Sequence, residues 1–386
     1  MLADEQMRLY EFEGAQLFRR EGIPIPDFAV ATNPVEAREQ AARIGLPVVL
    51  KAQVLTGGRW LAGGVHVLES LDGVQRTARH MLSTPLRGLP VDKIVVAQKV
   101  NGLREFYLSV TVDDYEGTPV AILSAEGGVA INETAKKQPE VVVTRPLSIA
   151  KGLHSSDAAQ ICRSAGLSGA EEVGVGAVLT SLYQVFRKYD ALIAEINPLV
   201  KTGDGNFVAL DSKVEIDDSS LYRHADLGLS QTSRLLNPLE RKGREIGVTY
   251  VELEGDIAII ASGAGLGMAS MDIISRHMKP ANFLETGGAI TADLLYKVMD
   301  LVLQKKGVNA LFINIYGGIN PIDEGAKGVV RYLKEHDVRI PIVAKALGNK
   351  QEETWEIFKQ GGVQIVDDVS TEKGVELIAR LLEREV

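Results

Sequence analysis

Cysteine is almost absent from this chain. Cys162 is the only one in 386 residues, which excludes an internal disulfide framework and a cysteine-built zinc site. A single thiol suits a reducing compartment. Histidine is scarce too. His66, His80, His154, His224, His277 and His336 are scattered without metal-ligand spacing or a paired nucleophile, so a covalent histidine intermediate on this chain is not expected. Positive charge is in the minority, 42 Lys and Arg against 51 Asp and Glu, a net charge of −9. That balance argues against a general nucleic-acid or acidic-membrane surface while leaving room for a local basic pocket. No apolar run approaches membrane-span length, and the opening Met1–Gln6 stretch is acidic, without the basic-then-apolar order of a signal peptide. A cytoplasmic location is expected.

Glycine, by contrast, is plentiful. The 38 glycines cluster, which points to binding loops made of backbone rather than to flexible linkers. The length allows two or three domains. Leu9 to Arg20 carries apolar residues at helical spacing and is closed by Gly22 and Pro24. A strand is predicted at Phe28–Ala31. Asn33 and Pro34 then open a helix to about Ile44, as N-cap and first helical residue. Pro47–Val54 reads as a buried strand with Lys51 in its middle, and a lysine there has to be paired or functional because a bare buried ammonium is costly. The glycine-rich Thr56–Gly64 loop with Arg59 follows, and cation plus loop suits a phosphate cradle. Further strands are predicted over 93–100 and 104–112, where Glu105, Tyr107 and Ser109 alternate with Phe106, Leu108 and Val110, and over 121–128. Helices are predicted over 157–162 and 171–187. This first part is α+β, with several antiparallel strands.

Ala191-Leu-Ile-Ala-Glu-Ile-Asn-Pro-Leu-Val200 places Glu195 and Asn197 on one strand face, and Val208-Ala-Leu-Asp-Ser-Lys213 returns after a turn with Asp211 alongside. Such oxygens suit a Mg²⁺ that also binds nucleotide phosphates. The stretch from Tyr222 to about Thr249 is polar and irregular, with a basic patch at Arg241, Lys242 and Arg244, and holds the expected domain boundary. Beyond it come strand–loop–helix units. Runs at 256–262, 281–285, 310–316 and 341–346 end at small residues, and a last run, 363–366, precedes the helix 371–384. This is the pattern of an open parallel α/β sheet of flavodoxin or Rossmann type, with ligands beyond the strand C-termini. The Gly263-Ala-Gly-Leu-Gly267 loop misses the dinucleotide spacing, because its third glycine comes two residues after the second.

Taken in order, Leu9-Tyr-Glu-Phe12, Lys51-Ala-Gln-Val54 with its loop, Arg104-Glu-Phe-Tyr107, Glu126-Gly-Gly-Val129, Glu195-Ile-Asn-Pro198, Leu210-Asp-Ser-Lys213, Gly263-Ala-Gly-Leu266, Thr286-Gly-Gly288 and Asn314-Ile-Tyr-Gly-Gly-Ile319 resemble the β subunits of succinyl-CoA synthetase. The resemblance implies an ATP-grasp domain over residues 1–245, with a smaller subdomain at about 26–103, and a flavodoxin-like CoA-ligase domain over 246–386. It implies ATP as substrate, Mg²⁺, a small carboxylic acid, and a hetero-oligomer with an α subunit that carries the phosphohistidine and the CoA site. Succinate is the implied acid. Another acid such as malate, or a catalytically impaired regulatory paralogue, are the alternatives. The implied roles are nucleotide contact for Lys51, Gly58, Arg59, Ala97, Gln98, Lys99, Val100 and Glu105, metal ligation for Asn197 and Asp211, and catalysis for Glu195. Ser262, Gly287, Gly288, Gly317, Gly318 and Ile319 are implied at the substrate. The helices after Gly263–Gly267 and after Gly317-Gly318 would point their N-termini at the phosphohistidine. The chain departs from the family pattern at Trp60 and Leu61, where a glycine and a lysine are usual, and at Ser262, Ala289 and Lys345.

Overall fold

The computed structural model describes residues 7–128, 141–288 and 290–383. The acidic first six residues, Val129 and Ala289 lie outside them. The chain forms two compact units, 1–229 and 230–386.

The first unit holds two antiparallel sheets. A four-stranded sheet is built from β2 (Phe28–Ala31), β3 (Val48–Ala52), β4 (Val65–Leu68) and β5 (Ile94–Gln98), in the order β2-β5-β3-β4. Helices α2 (Pro34–Ile44) and α3 (Leu71–Ser83) cover it. The Asn33 carboxamide accepts from the N–H groups of Val35 and Glu36, so the predicted cap starts α2. β4 and α3 were not expected from the sequence. Ser70 caps α3 by accepting from Gly73, and Val74, Ala78 and Met81 give it a narrow buried stripe.

A seven-stranded sheet follows the order β1-β11-β9-β6-β7-β8, with β10 also paired to β9. Its strands are β1 (Met7–Arg8), β6 (Gly102–Asp113), β7 (Thr118–Ser124), β8 (Val142–Pro146), β9 (Ala191–Thr202), β10 (Phe207–Ala209) and β11 (Lys213–Ile216). The apolar set Phe106, Leu108 and Val110 is fully buried with α1 (Glu11–Arg20), α4 (Ser155–Ser164) and α5 (Ala170–Lys188). The opposite face of β6 and β9 is thereby left to Glu105, Tyr107, Glu195 and Asn197.

In the second unit a six-stranded sheet runs β12-β14-β13-β15-β16-β17. Its strands are β12 (Thr249–Glu252), β13 (Ile257–Ala261), β14 (Asn282–Glu285), β15 (Ala310–Gly317), β16 (Ile342–Gly348) and β17 (Gln364–Ile365). From β13 onward all pairings are parallel, and the order is that of flavodoxin-like sheets. Both faces are dry: Ile257, Ile259 and Phe312 enter one core, and Ala258, Ile260 and Ile313 the other. The helices are α6 (Pro238–Ile246), α7 (Ala264–Ile274), α8 (Ala292–Gln304), α9 (Asp323–Glu335), α10 (Gln351–Gln360) and α11 (Thr371–Leu381).

Two features of this unit depart from the sequence expectation. β12 is an antiparallel edge strand on β14. The basic patch at Arg241–Arg244 belongs to α6, which packs on β12 and α8, so residues up to 245 assigned to the first domain include a helix of the second unit. Asn237 caps it and Pro238 opens it, the same signal that starts α2.

Candidate active site

The return of the chain after β9 is the frame of the site. Ala209 pairs with Leu199, the Leu210 N–H donates to the Pro198 carbonyl, and Lys213 pairs with Glu195. One register runs through all three, so Asp211 comes opposite Asn197 although residues 210–212 are not regular strand. β6 and β9 slip by one residue between Phe106 and Leu108, where the Asn197-Pro198 peptide stands. This bulge ends the polar face of β9 at the bend.

Glu195 lies across from Ser109 on β6 and accepts from the Tyr107 hydroxyl at 3.2 Å. Burial raises its pKa above the ordinary carboxylate value, and Lys213 across the ladder offsets part of that shift. The Asn197 Oδ1 accepts the Gly128 N–H at 2.8 Å. Gly128 has φ +86°, and a Cβ there would lie 2.5 Å from a Glu105 carboxylate oxygen. The glycine turn thus crosses directly over Glu105 and Asn197, a close approach that only glycine permits.

Lys51 is paired, as a lysine on that strand has to be. Its Nζ lies 2.6 Å from Glu11 Oε1 and also donates to the Leu210 carbonyl. Arg59 NH1 is 2.7 Å from Glu11 Oε2, and its NH2 is 2.7 Å from Asp211 Oδ1. Two cations and two carboxylates therefore neutralise one another. Burial pushes the Glu11 pKa up, but Lys51 and Arg59 outweigh it and hold it below the usual value. Burial opposes the charge on Arg59, and Glu11 and Asp211 restore it.

Beside this cluster a shallow cleft is walled by Phe12, Ile25, Pro26, Phe28, Val95 and Ala97, with Glu11, Lys51, Asp211 and Ser212 also lining it. An apolar wall that ends in charge suits a ring system attached to phosphates. Of the predicted hinge, Ala97 lines the cleft, Gln98 and Lys99 are exposed, and Val100 is half-buried. Gly58 has φ +66° in the loop that carries Arg59.

Trp60 and Leu61 are 58% and 70% exposed. They face solvent and leave Arg59 free to reach inward, so the departure from the family pattern does not block the cluster.

Sequence reasoning missed Glu11. An acid in the first turn of a helix reads as a complement to the helix dipole. The signal that could have found it was Lys51, which demanded a counter-ion. Tyr107 stands in an alternating strand and in the Arg104-Glu-Phe-Tyr107 motif, where it has no role of its own in the sequence reading.

The predicted substrate residues of the second unit meet at the carboxyl ends of its strands. The Ser262 hydroxyl accepts the Tyr316 N–H at 3.0 Å and so ties β13 to β15. Gly287, at φ +67°, donates its N–H to Glu285. The carbonyls of Gly317 and Ile319 accept from Asn349, and that of Gly288 from Asn320. Gly318 is open, and Ile319 is almost wholly exposed.

α7 begins directly at Gly263 with no acid in its first turn. α9 begins only at Asp323, whose carboxylate is paired with Lys327 and Lys350. Its N-terminus is thus answered by its own acid, unlike the expectation for the helix after Gly317-Gly318. Lys345 is buried, reaches Asn314 Oδ1 at 3.3 Å, and has its pKa lowered by burial.

For Mg²⁺ the donor set fits. Asn197 and Asp211 offer hard oxygens across one ladder, and among the described residues no group of three or more His, Cys, Asp or Glu forms a full cage. A site with few protein oxygens, completed by phosphates and water, is what Mg²⁺ prefers.

An ATP-grasp family model matches residues 8–201 and a CoA-ligase model matches residues 260–376. The chain is thus an ATP-grasp protein joined to a CoA-ligase domain. A succinate–CoA ligase [ADP-forming] β subunit of Methanothermobacter thermautotrophicus is 38% identical over 97% of this chain and all of that one. A Chloroflexus aurantiacus β subunit of the same name is 40% identical over 90% of this chain and 92% of its own length. A [GDP-forming] β subunit of Thermus thermophilus is 39% identical over 92% and 93%. The chain belongs to the succinate–CoA ligase β-subunit family. In fold it is similar to ATP citrate lyase from Methanothrix soehngenii, with TM-score 0.75 and 18% identity over 98% of this chain and all of that one.

Proposed function

We propose that this chain is the β subunit of an ADP-forming succinate–CoA ligase, which converts ATP, succinate and CoA to ADP, phosphate and succinyl-CoA through a phosphohistidine on an α subunit. The observation that carries the reading is the charged end of the cleft, where Lys51, Arg59 and Asp211 come together on a chain that matches its relatives through both modules. The relatives' names favour succinate over another acid or a regulatory role.

The purine enters the cleft along Ala97 and Phe28, with the hinge Gln98–Val100 at its rim, and the phosphates run toward Lys51 and the Gly58–Arg59 loop. Asn197 and Asp211 would hold Mg²⁺, which supplies charge neutralisation on the transferred phosphoryl group. Lys51 stays on its strand and offsets charge on the phosphate oxygens. Glu195, kept basic by burial and held by Tyr107, receives and orients the partner's imidazole. Glu105 lies under the glycine turn at the nucleotide side. In the second unit, Ser262, Gly287, Gly288 and Gly317–Ile319 shape the carboxylate pocket, and the start of α7, with no acid in its first turn, offers N–H groups to a phosphate.

The α subunit, the heteromer and a cytoplasmic location belong to this proposal, as does ATP over GTP, since relatives of both names are equally similar. Among the described residues no helix is long and apolar enough to cross a membrane. The chain purified with its α partner and supplied with ATP should release ADP continuously on addition of succinate and CoA. Release with another acid alone, or with none despite a stable complex, would overturn the reading.

A further inference from the structure

The cation cluster at the end of the cleft suggests how metal and nucleotide enter. Asp211 Oδ1 already accepts from Arg59 NH2 at 2.7 Å and from the Ser212 N–H at 2.8 Å. The Arg59 side chain is 11% exposed and the Asp211 side chain 41%. The guanidinium is therefore packed behind an acid that opens to the cleft. Its other arm is fixed by Glu11 at 2.7 Å and by the Ala52 carbonyl at 3.2 Å. A divalent cation on Asp211 would meet the positive charge of the Arg59 guanidinium at contact distance, and like charges so close repel.

We propose that Arg59 stands in for the divalent cation at Asp211 in the nucleotide-free chain, so that the metal binds only together with a nucleotide whose phosphates draw Arg59 away. The proposal rests on the nucleotide and metal assignments made above. Arg59 can make the exchange because of its carrier. It sits on a loop whose backbone is closed by the Gly64 N–H donating to the Arg59 carbonyl at 2.8 Å, and its neighbours Trp60 and Leu61 are exposed, so the exchange needs only rotation of the Arg59 side chain. A phosphate offers the guanidinium the same planar, two-point recognition as a carboxylate, with more negative charge. Lys51 has no such freedom, since it lies within a ladder strand. Glu11 keeps both cations near the cleft during the exchange. By linkage, nucleotide then raises metal affinity and metal raises nucleotide affinity by the same factor.

The two tryptophans make this measurable. Trp60 adjoins Arg59, whereas Trp355 lies in the second unit with its Nε1 donating to the Ala346 carbonyl. In a full-length Trp355→Phe chain, Trp60 emission should change when ADP and Mg²⁺ are added together and stay constant with Mg²⁺ alone. Binding of Mn²⁺, followed by the EPR signal of the free ion, should be weak without ADP. It should tighten roughly tenfold or more in Arg59→Met, within the usual range of such couplings. Arg59→Lys, which keeps the charge, should stay weak, and Arg59→Met with Asp211→Asn should lose the gain. Mn²⁺ binding to the nucleotide-free wild type as tightly as to Arg59→Met would overturn the proposal. So would a Trp60 response to Mg²⁺ alone equal to the response with ADP, a measurement that does not depend on any Arg59 variant folding. If ADP with Mg²⁺ does not bind at all, the nucleotide site itself is misassigned and this proposal falls with it.

Discussion

The two units are both assigned to phosphate chemistry, and they prepare for it in opposite ways. The first unit uses side-chain charge: Lys51, Arg59, Glu11 and Asp211 are collected from three separate stretches of chain and neutralise one another. The second uses backbone. Its strand ends are joined by Ser262, Asn320 and Asn349, and α7 starts with no side-chain cap and no acid in its first turn. A charged cluster can be rearranged by an incoming charge, because its bonds can be exchanged one for one. Uncharged hydrogen bonds between these side chains and the loop backbone are not displaced by an incoming charge in this way, and suit a ligand that must be received without rearrangement.

The comparison is most severely tested at Asp211. Asp211→Asn should lower Mg²⁺-dependent phosphorylation of the partner histidine by about 10³-fold, as expected when a charge that supports the transition state is lost. Transfer of labelled phosphate from ATP is the measurement, with assembly intact by gel filtration. Unchanged labelling would place the metal elsewhere.

Glu11→Gln should come next. Removing one partner of a buried pair costs about 3 kcal/mol, and the KM for ATP should rise with kcat less affected, because Lys51 and Arg59 lose their anchor. The pH dependence has a definite sign. The Glu11 pKa in the folded chain lies below its ordinary value of 4.5. Its contribution to stability is complete above that value and is lost as pH falls through the folded pKa. Denaturant titrations of wild type and Glu11→Gln should therefore converge only in acid. A constant gap down to the lowest pH would remove the ionised pair from the account.

In the second unit Gly348→Ala tests the knit. Gly348 has φ +112°, and a Cβ would fall 2.1 Å from the Gly317 carbonyl oxygen. A loss of more than about 1 kcal/mol is expected. Thioester formation should suffer while labelling of the histidine from ATP persists. Equal loss of both half-reactions would mean that the two units do not divide the work as described.

The smallest effect is expected at Lys345→Met. Burial holds the Lys345 pKa below its ordinary value of 10.5. The unfolded chain therefore binds the proton more tightly, and wild type should gain stability relative to the variant as pH rises from the folded pKa toward 10.5. A flat difference across alkaline pH would show that the ammonium is not penalised.

Much of this protein was legible from local pattern. The Asn33-Pro34 start of α2, the alternation of Phe106, Leu108 and Val110, and the Glu195–Asn197 face each depend on a few neighbouring residues. So does the count of parallel strands after residue 256. The same kind of local signal at Asn237-Pro238 was present and was hidden by the polar composition around it. α3 was missed because its buried stripe is only Val74, Ala78 and Met81 wide.

Sequence alone was thus enough for many of the elements and for the two-part architecture, because helix caps, strand alternation and turns are decided by chemistry within a few positions. It could place Lys51 in a strand and say that the ammonium needed a partner. Only the tertiary structure supplied that partner as Glu11, brought Arg59 onto Asp211, and turned Trp60 outward. Those are meetings between residues far apart in the chain, decided by how sheets and helices pack, and no local spacing encodes them.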